Sequence, residues 1–417
     1  FEVKDSLRRT TLRDLPEKKP ENDLEKVEGT PLAKKLWTMA LADVESNIVE
    51  TSKGKYFGAG KKFGLVVFTR DISFSGILAL NELYPQEMLS SLKVTRDVRL
   101  NLGLTVQRGY VVPGIKGNWK EEKDLSGNQF LKKYKTNSYT RRTDDVVWLW
   151  AAKDLFEKHP ELADWGWLYD KGMQSFETLY WPFHDKKDGL FHGQAAFIDI
   201  HFQGTKATGY PQDYSITDCV LVKALSTNCL FYQGMLSMAE TSKRLGKVDQ
   251  ETLWQERAKK LKQAILSELD FGNGTFSYFK GMDGNLQPRR DALGSALLVL
   301  SGIVKGEAAK RALDDYPESW AGIPILEPFF PWKTVYHNNT SWPFVDTFYL
   351  WAKEVAEEKD YSGYNAALLA RTCFDGETFR EVVNFTTKEP YRSPSQLWTA
   401  SSYLNVCLRK SRINNDL

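Results

Sequence analysis

Apolar positions recur along most of this chain at spacings of three and four residues, the mark of helices that bury one side. Leu32, Leu36, Met39, Ala40 and Val44 share a face of a helix predicted over 31–51, which Pro31 opens. The same period predicts helices over 72–83, 85–102, a stretch ending at 158, 160–180, 215–246, 248–269, 292–303, 305–315, 344–358, 361–374 and 395–410. Segment 292–303 is almost wholly apolar, whereas 248–269 carries one apolar stripe among charges. That contrast suits helices buried in an inner ring and half exposed in an outer one. Twelve helices make six hairpins, an all-α architecture. Short extended pieces interrupt it at 63–69, 188–191, 271–279 and 378–385, the third turning at Asn273-Gly274.

Residues 1–30 are polar, carry Pro16 and Pro20, and have few apolar anchors, so they read as a surface extension. No Pro/Gly/Ser linker divides the remainder, and 31–417 reads as one large domain. The net charge of +2 comes from scattered basic residues rather than a clustered stripe, which argues against a nucleic-acid-binding face. No apolar run reaches the ~18–20 residues needed to span a bilayer. Cys219, Cys229, Cys373 and Cys407 lie singly in apolar helical stretches and read as reduced core residues. The chain starts at Phe1 rather than Met, which suits removal of a leader and favours a periplasmic or secreted location over a cytoplasmic one. Aromatics reach 13% of residues; most belong to the core, and a few are free to stack on flat sugar faces.

Four stretches carry candidate chemistry. Thr69-Arg70-Asp71 opens the helix at 72–83. Thr143-Asp144-Asp145 precedes the helix ending at 158. Asp188-Gly189-Leu190-Phe191 is followed by Gly193–His201, with Asp199 in the apolar run Ala195–Ile200. Tyr336-His337-Asn338-Asn339-Thr340-Ser341-Trp342-Pro343 is followed by Arg380-Glu381 and by Gln396-Leu397-Trp398-Thr399-Ala400.

In this order the stretches resemble the signature blocks of the six-hairpin, (α/α)6-toroid glycosidases, over most of residues 60–410. The glucosidase domain of glycogen-debranching enzymes, the processing α-glucosidases and trehalase are the nearest likenesses. The resemblance implies an exo-acting, inverting hydrolase that releases a terminal, α-linked sugar from an oligosaccharide. Asp199 matches the general acid, with Asp213 as the other acid of that loop, and Glu381 matches the general base. Apolar surroundings such as those of Asp199 favour a protonated carboxyl. Inversion sets the two carboxyls roughly 6.5–9.5 Å apart across one cavity. Arg70, Asp71 and Asp145 match positions that bind sugar hydroxyls. Tyr336, His337, Asn338 and Trp342 match the walls of the terminal-sugar subsite, and Trp332 is a further stacking residue. Trp398 is a further stacking residue, although its helical spacing favours core packing. His337 has no second His within helical reach and reads as a hydroxyl donor, so neither a metal nor another cofactor is implied.

The acid loop 191–214 departs from the debranching and trehalase patterns, which leaves the sugar open. Two other readings share the fold. A uronide-acting hydrolase or lyase would use arginines such as Arg141, Arg142, Arg289 or Arg290 on the substrate carboxylate. A non-catalytic toroid would bind glycan alone. The sequence leaves oligomeric state open.

Overall fold

A computed structural model describes residues 30–51, 54–63, 66–102, 110–111, 146–199, 202–203, 206–207, 209–214, 216–331, 336–373 and 377–415. Twelve helices of these residues build the ring: α1 (Pro31–Glu45), α2, α3 (Pro85–Leu102), α4 (Trp148–Lys158), α5, α6 (Leu225–Arg244), α7 (Val248–Glu268), α8 (Ala292–Leu300), α9 (Glu307–Leu313), α10 (Pro343–Glu357), α11 (Ser362–Thr372) and α12 (Leu397–Asn415). Helix α2 runs from Thr69–Ser75 through a π-helical stretch, Gly76–Leu80, into Asn81–Leu83. Helix α5 is Trp165–Ser175 continued by π-helical Phe176–Tyr180.

The even-numbered helices close a ring. Helix α2 packs on α4, α4 on α6, α6 on α8, α8 on α10, α10 on α12, and α12 back on α2. The odd-numbered helices lie outside them: α3 against α2 and α4, α5 against α4 and α6, α7 against α6, α9 against α8 and α10, α11 against α10 and α12, and α1 against α12. Burial follows position. In α8 every residue from Ala292 to Val299 is buried, whereas α7 buries only Trp254, Ala258, Leu261, Ala264 and Ile265. Hydrophobic burial on both sides of the inner ring therefore selects its composition.

The chain enters each inner helix from a loop at one end of the toroid, and short strands stitch these loops together. Residues 66–67 pair with 110–111, 223–224 with 279–280, 290–291 with 326–327, and 340–341 with 383–384. The seam between the last loop and the first is closed by the Leu397 amide, which donates to the Ala59 carbonyl at 3.0 Å. Of the extended pieces expected from the sequence, 63–69, 271–279 and 378–385 each supply residues to these stitches, whereas 188–191 makes only a local bridge from Phe191 to His184.

Some element boundaries differ from the sequence reading. Helix α1 ends at Glu45, and 48–51 turns back on 54–57 as a hairpin, because Ile48 and Val49 are β-branched and Gly54 supplies a φ of +134°. The helix expected over 215–246 is broken. A short helix, Ile216–Leu221, gives way to Lys223-Ala224, which pairs with Phe279-Lys280 before α6 starts. Ion pairs of Lys223 with Asp185 at 2.7 Å and Asp188 at 2.6 Å hold the break. Helix α12 begins at Leu397, so Ser395 is not its cap. The Ser395 hydroxyl instead lies 3.1 Å from the Thr378 hydroxyl. The extension 1–29 lies outside the described residues.

Candidate active site

The loops that enter the inner helices carry the candidate residues. Arg70 sits in the first turn of α2 and is 5% exposed. Its Nη1 donates to Asp199 Oδ1 at 2.9 Å and to the Ala196 carbonyl at 3.4 Å, and its Nη2 reaches Asp199 Oδ2 at 3.5 Å. Its Nε lies 3.7 Å from Asp71 Oδ2, and its guanidinium stands 5.8 Å from the Trp398 ring centre. Residues far apart in sequence thus meet in one buried cluster.

The loop bearing Asp199 is clamped onto the start of α6. Ser226 Oγ accepts from the Ala196 amide at 3.1 Å, and Thr227 Oγ1 donates to the Gln194 carbonyl. Tyr210 braces the same loop, donating to the Ile198 carbonyl at 2.8 Å and accepting from the Ala195 amide at 3.2 Å. Ala195–Ile198 is buried, as the apolar run suggested. Asp199, however, has polar company within that run: Arg70, and Gln194 Nε2 at 3.5 Å. Gly209 has a φ of +74°, and a Cβ there would come within 2.8 Å of the His337 carbonyl. The acid loop and the His337 loop therefore touch.

Glu381 lies just before the strand Val382–Asn384 and is 2% exposed. Tyr336 donates its O–H to Glu381 Oε1 at 2.9 Å, and the Ser393 amide donates to Oε2 at 3.2 Å. Burial pushes the Glu381 carboxyl above the usual range. The Tyr336 and Ser393 bonds, and then the charges of Lys62 and Arg392, pull it partly back. Asp43 of α1 holds the start of this segment, accepting from the Phe379 amide at 2.7 Å and from the Thr378 hydroxyl at 3.0 Å.

An aromatic wall joins the two acids. Trp342 stacks on His337 with centroids 5.2 Å apart and meets Tyr336 at 5.0 Å, Phe197 at 5.4 Å and Trp398 at 5.6 Å. Tyr336 touches Glu381, Phe197 belongs to the Asp199 loop, and Trp398 lies by Arg70. Trp342 Nε1 donates to the Tyr336 carbonyl at 2.8 Å, which helps hold Tyr336 at its φ of +87°. Asn338 bonds Phe330 with both ends of its amide, Oδ1 at 3.0 Å and Nδ2 at 3.1 Å, so it shapes the loop.

Arg70, Asp71, Asp199, Tyr336, His337, Asn338, Trp342 and Glu381 thus gather at one end of the ring. Asp145 and Trp332 lie outside the described residues, as do Arg141 and Arg142. Asp213 is exposed and lines a separate cavity with Arg289 and Phe330. Sequence reasoning passed over Gln194 and gave Gln396 no role. Gln194 Oε1, both amide atoms of Gln396 and Trp398 Nε1 are buried without a partner among the described residues. A buried Gln at the entrance of an apolar helix was the available signal, since unpaired amides are costly without a ligand. Among the described residues no group of three His, Cys, Asp or Glu side chains could hold a metal ion, and no helix is long and apolar enough to cross a membrane.

No protein-family profile and no curated protein matches the sequence. Solved structures do match the fold. A glycosidase solved in complex with glucose superposes with a TM-score of 0.61 at 12% identity, over 91% of this chain and 98% of its own. The GH63 mannosylglycerate hydrolase of Thermus thermophilus gives 0.60 at 13% identity, over 89% of this chain and 99% of its own. The GH78 family rhamnosidase of a Bacillus species gives 0.60 at 12% identity, with 91% of this chain covering 35% of that enzyme. With its closed ring of inner helices and loop-borne site, this chain has the (α/α)6 toroid fold of the six-hairpin glycosidases.

Proposed function

We propose that this protein is an exo-acting, inverting glycoside hydrolase that releases a terminal α-linked sugar from an oligosaccharide. The observation that carries the reading is the joining of two buried carboxyls, Asp199 and Glu381, by one wall of Trp342, Phe197 and Tyr336. The Oε1 of Gln194 and both amide atoms of Gln396, without partners among the described residues, suit a ligand rich in hydroxyls. The glycosidases of the same fold, one solved with glucose, support a sugar substrate.

In this mechanism Asp199 gives a proton to the departing glycosidic oxygen. Glu381 takes a proton from the water that attacks the anomeric carbon from the opposite face. Burial suits Glu381 to that part, since a carboxylate with a raised pKa is a stronger base. Because Arg70 reaches both oxygens of Asp199, proton delivery requires the bound sugar to take over one of its N–H groups. Asp71, Asp145 and His337 bind hydroxyls, Tyr336 and Trp342 wall the terminal subsite with Asn338 shaping their loop, and Trp332 is a further stacking residue.

The test is a panel of α-linked gluco- and manno-oligosaccharides, read as free monosaccharide and as the anomer first formed. Glu381→Gln and Asp199→Asn should each abolish release. A glycosyl fluoride, whose leaving group needs no protonation, should restore turnover to Asp199→Asn and not to Glu381→Gln. Full activity of Glu381→Gln on every substrate that the parent hydrolyses removes Glu381 from the reaction.

A further inference from the structure

Both hydrogen bonds to Glu381 come from strained backbone. Tyr336, whose hydroxyl holds Oε1, has a φ of +87°. Arg392, which precedes the Ser393 amide that holds Oε2, has a φ of +76°. We infer that Arg392 is a positioning residue for Glu381: its left-handed backbone aims the Ser393 amide at one carboxylate oxygen, and its guanidinium holds the ring of Tyr336, whose hydroxyl holds the other. The inference deepens the hydrolase reading above and rests on it for the part Glu381 plays as base.

The sheet explains why the chain turns there. Val382 pairs with Tyr391 and Val383 with Pro390, antiparallel, so the same register would set Arg392 opposite Glu381. A ladder continued by one residue would carry the chain straight past the carboxyl. The left-handed turn at Arg392 instead swings the next peptide unit round, and the Ser393 N–H arrives 3.2 Å from Oε2. Beyond the turn the chain is caught again. Ser393 Oγ accepts from the Lys62 amide at 3.3 Å, and the Pro394 carbonyl accepts from the Lys61 amide at 3.3 Å. With both sides anchored, the conformation of Arg392 decides where that amide points.

A left-handed φ suits glycine, which has no Cβ to clash. An arginine held there signals a use for its side chain. The residue is exposed, yet its guanidinium stands 4.8 Å from the Tyr336 ring centre and 5.6 Å from that of Tyr391. A cation thus rests on the ring whose O–H meets Oε1. Two bonds to two oxygens fix the plane of the carboxylate, as a base needs if it is to meet one particular water. Lys62 and Tyr391 also act on Glu381 electrostatically, and both stay in every variant below.

Two substitutions separate the backbone from the side chain. Arg392→Gly keeps the turn and loses the guanidinium. Arg392→Val loses the guanidinium and, being β-branched, resists the turn. On a substrate from the oligosaccharide panel, Arg392→Val should lower kcat by about 10- to 100-fold with KM little changed, and Arg392→Gly should lower it less. Arg392→Lys, which keeps the cation, should lie nearest the parent and serves if Arg392→Val fails to fold. Combined with Tyr336→Phe, Arg392→Gly should cost much less than it does alone, because the guanidinium acts through the hydroxyl that is then missing. Equal rates for Arg392→Gly and Arg392→Val, or a loss on Arg392→Gly undiminished by Tyr336→Phe, would overturn the inference. A further readout needs no turnover. By NMR, the isotope-labelled Glu381 carboxyl, assigned by its absence from Glu381→Gln, should titrate at higher pH in Arg392→Gly than in the parent. A panel that yields no sugar while the carboxyl still moves sinks the hydrolase reading and leaves the positioning role standing. Sugar release with a carboxyl that moves in neither Arg392→Gly nor Arg392→Val does the reverse.

Discussion

Replacing Tyr336 with Phe removes one atom, the hydroxyl that donates to Glu381 Oε1 at 2.9 Å. The ring stays, and with it the contacts to Trp342 at 5.0 Å and to the Arg392 guanidinium at 4.8 Å. Burial raises the Glu381 carboxyl, and the Tyr336 bond is the largest influence opposing that rise. A hydrogen bond to a charged acceptor is worth about 1.5–3 kcal/mol, and one pKa unit is about 1.4 kcal/mol. The bond favours the ionised form, so its loss moves the Glu381 pKa further up and lowers the rate on the acid limb by about 10- to 100-fold. A general base must be ionised to act. The acid limb of the kcat/KM profile, which reports the free enzyme, should therefore move to higher pH. The plateau above the limb should fall less than the rate at low pH. Stopped assays from about pH 4 to 9 on one oligosaccharide give both numbers. If the limb stays in place or moves down while Glu381→Gln is inactive, then Glu381 is not the base that titrates on that limb.

Three further outcomes follow from the packing. Asp346 is fully buried, and burial lifts its carboxyl from 3.8 to about 7. The folded state then holds a proton that the unfolded chain has released, so stability is lost as pH rises from about 4 to about 7. Asp346→Asn can keep the Ile323 amide and Ser341 hydroxyl as partners, and should gain about 2–4 kcal/mol at about pH 8 and little at about pH 4, read from thermal melts. Gly322 has a φ of +116°, and a Cβ there would press on Ser341 and Asp346. Gly322→Ala should cost about 1–3 kcal/mol in denaturant titrations. Asp43→Ala removes the acceptor for the Phe379 amide and Thr378 hydroxyl, and should lower both Tm and kcat because Glu381 follows two residues later.

The ring was legible because its signal is local. An inner helix such as α8 is apolar all round, an outer one such as α7 carries a stripe, and both patterns fit within about six turns of one helix. Not every stitch was legible: a pair as short as 290–291 with 326–327 leaves no alternation to read. The break at Lys223 was hidden for another reason. An ammonium between Asp185 and Asp188 is a long-range ion pair, and helical propensity alone carries the helix straight through it. Within the site, Glu381 and Asp199 could be singled out because flanking motifs resemble a known family. The grip of Arg70 on Asp199 spans 129 residues and could not be. Gln194 and Gln396 look like any glutamine until burial shows the Oε1 of the first and both amide atoms of the second without partners among the described residues.

Burial also shows why a perturbed carboxyl is not by itself a catalyst. Asp346 is raised to about 7 and Asp291 to about 6, both by desolvation, and both sit at entrances to inner helices. By pKa alone they would be first choices for acid catalysis. Both oxygens of Asp346 and one of Asp291 are spent on structure, however. Asp291 accepts from the Gly294 amide at 2.7 Å as the cap of α8, and Asp346 accepts from the Ile323 amide at 3.0 Å and from the Ser341 hydroxyl at 2.6 Å. Glu381 differs in its neighbours. Its partners are a tyrosine on the aromatic wall and the backbone amide of Ser393, and Gln396 and Trp398 close by still lack partners for polar atoms among the described residues. Asp291 and Asp346 are engaged by their own helix and entry loops, whereas Glu381 lies among amide and indole groups that still lack partners among the described residues. If this distinction holds, Asp291→Asn should alter stability and leave the acid limb of the rate profile where it was, whereas Tyr336→Phe should move that limb with little change in Tm.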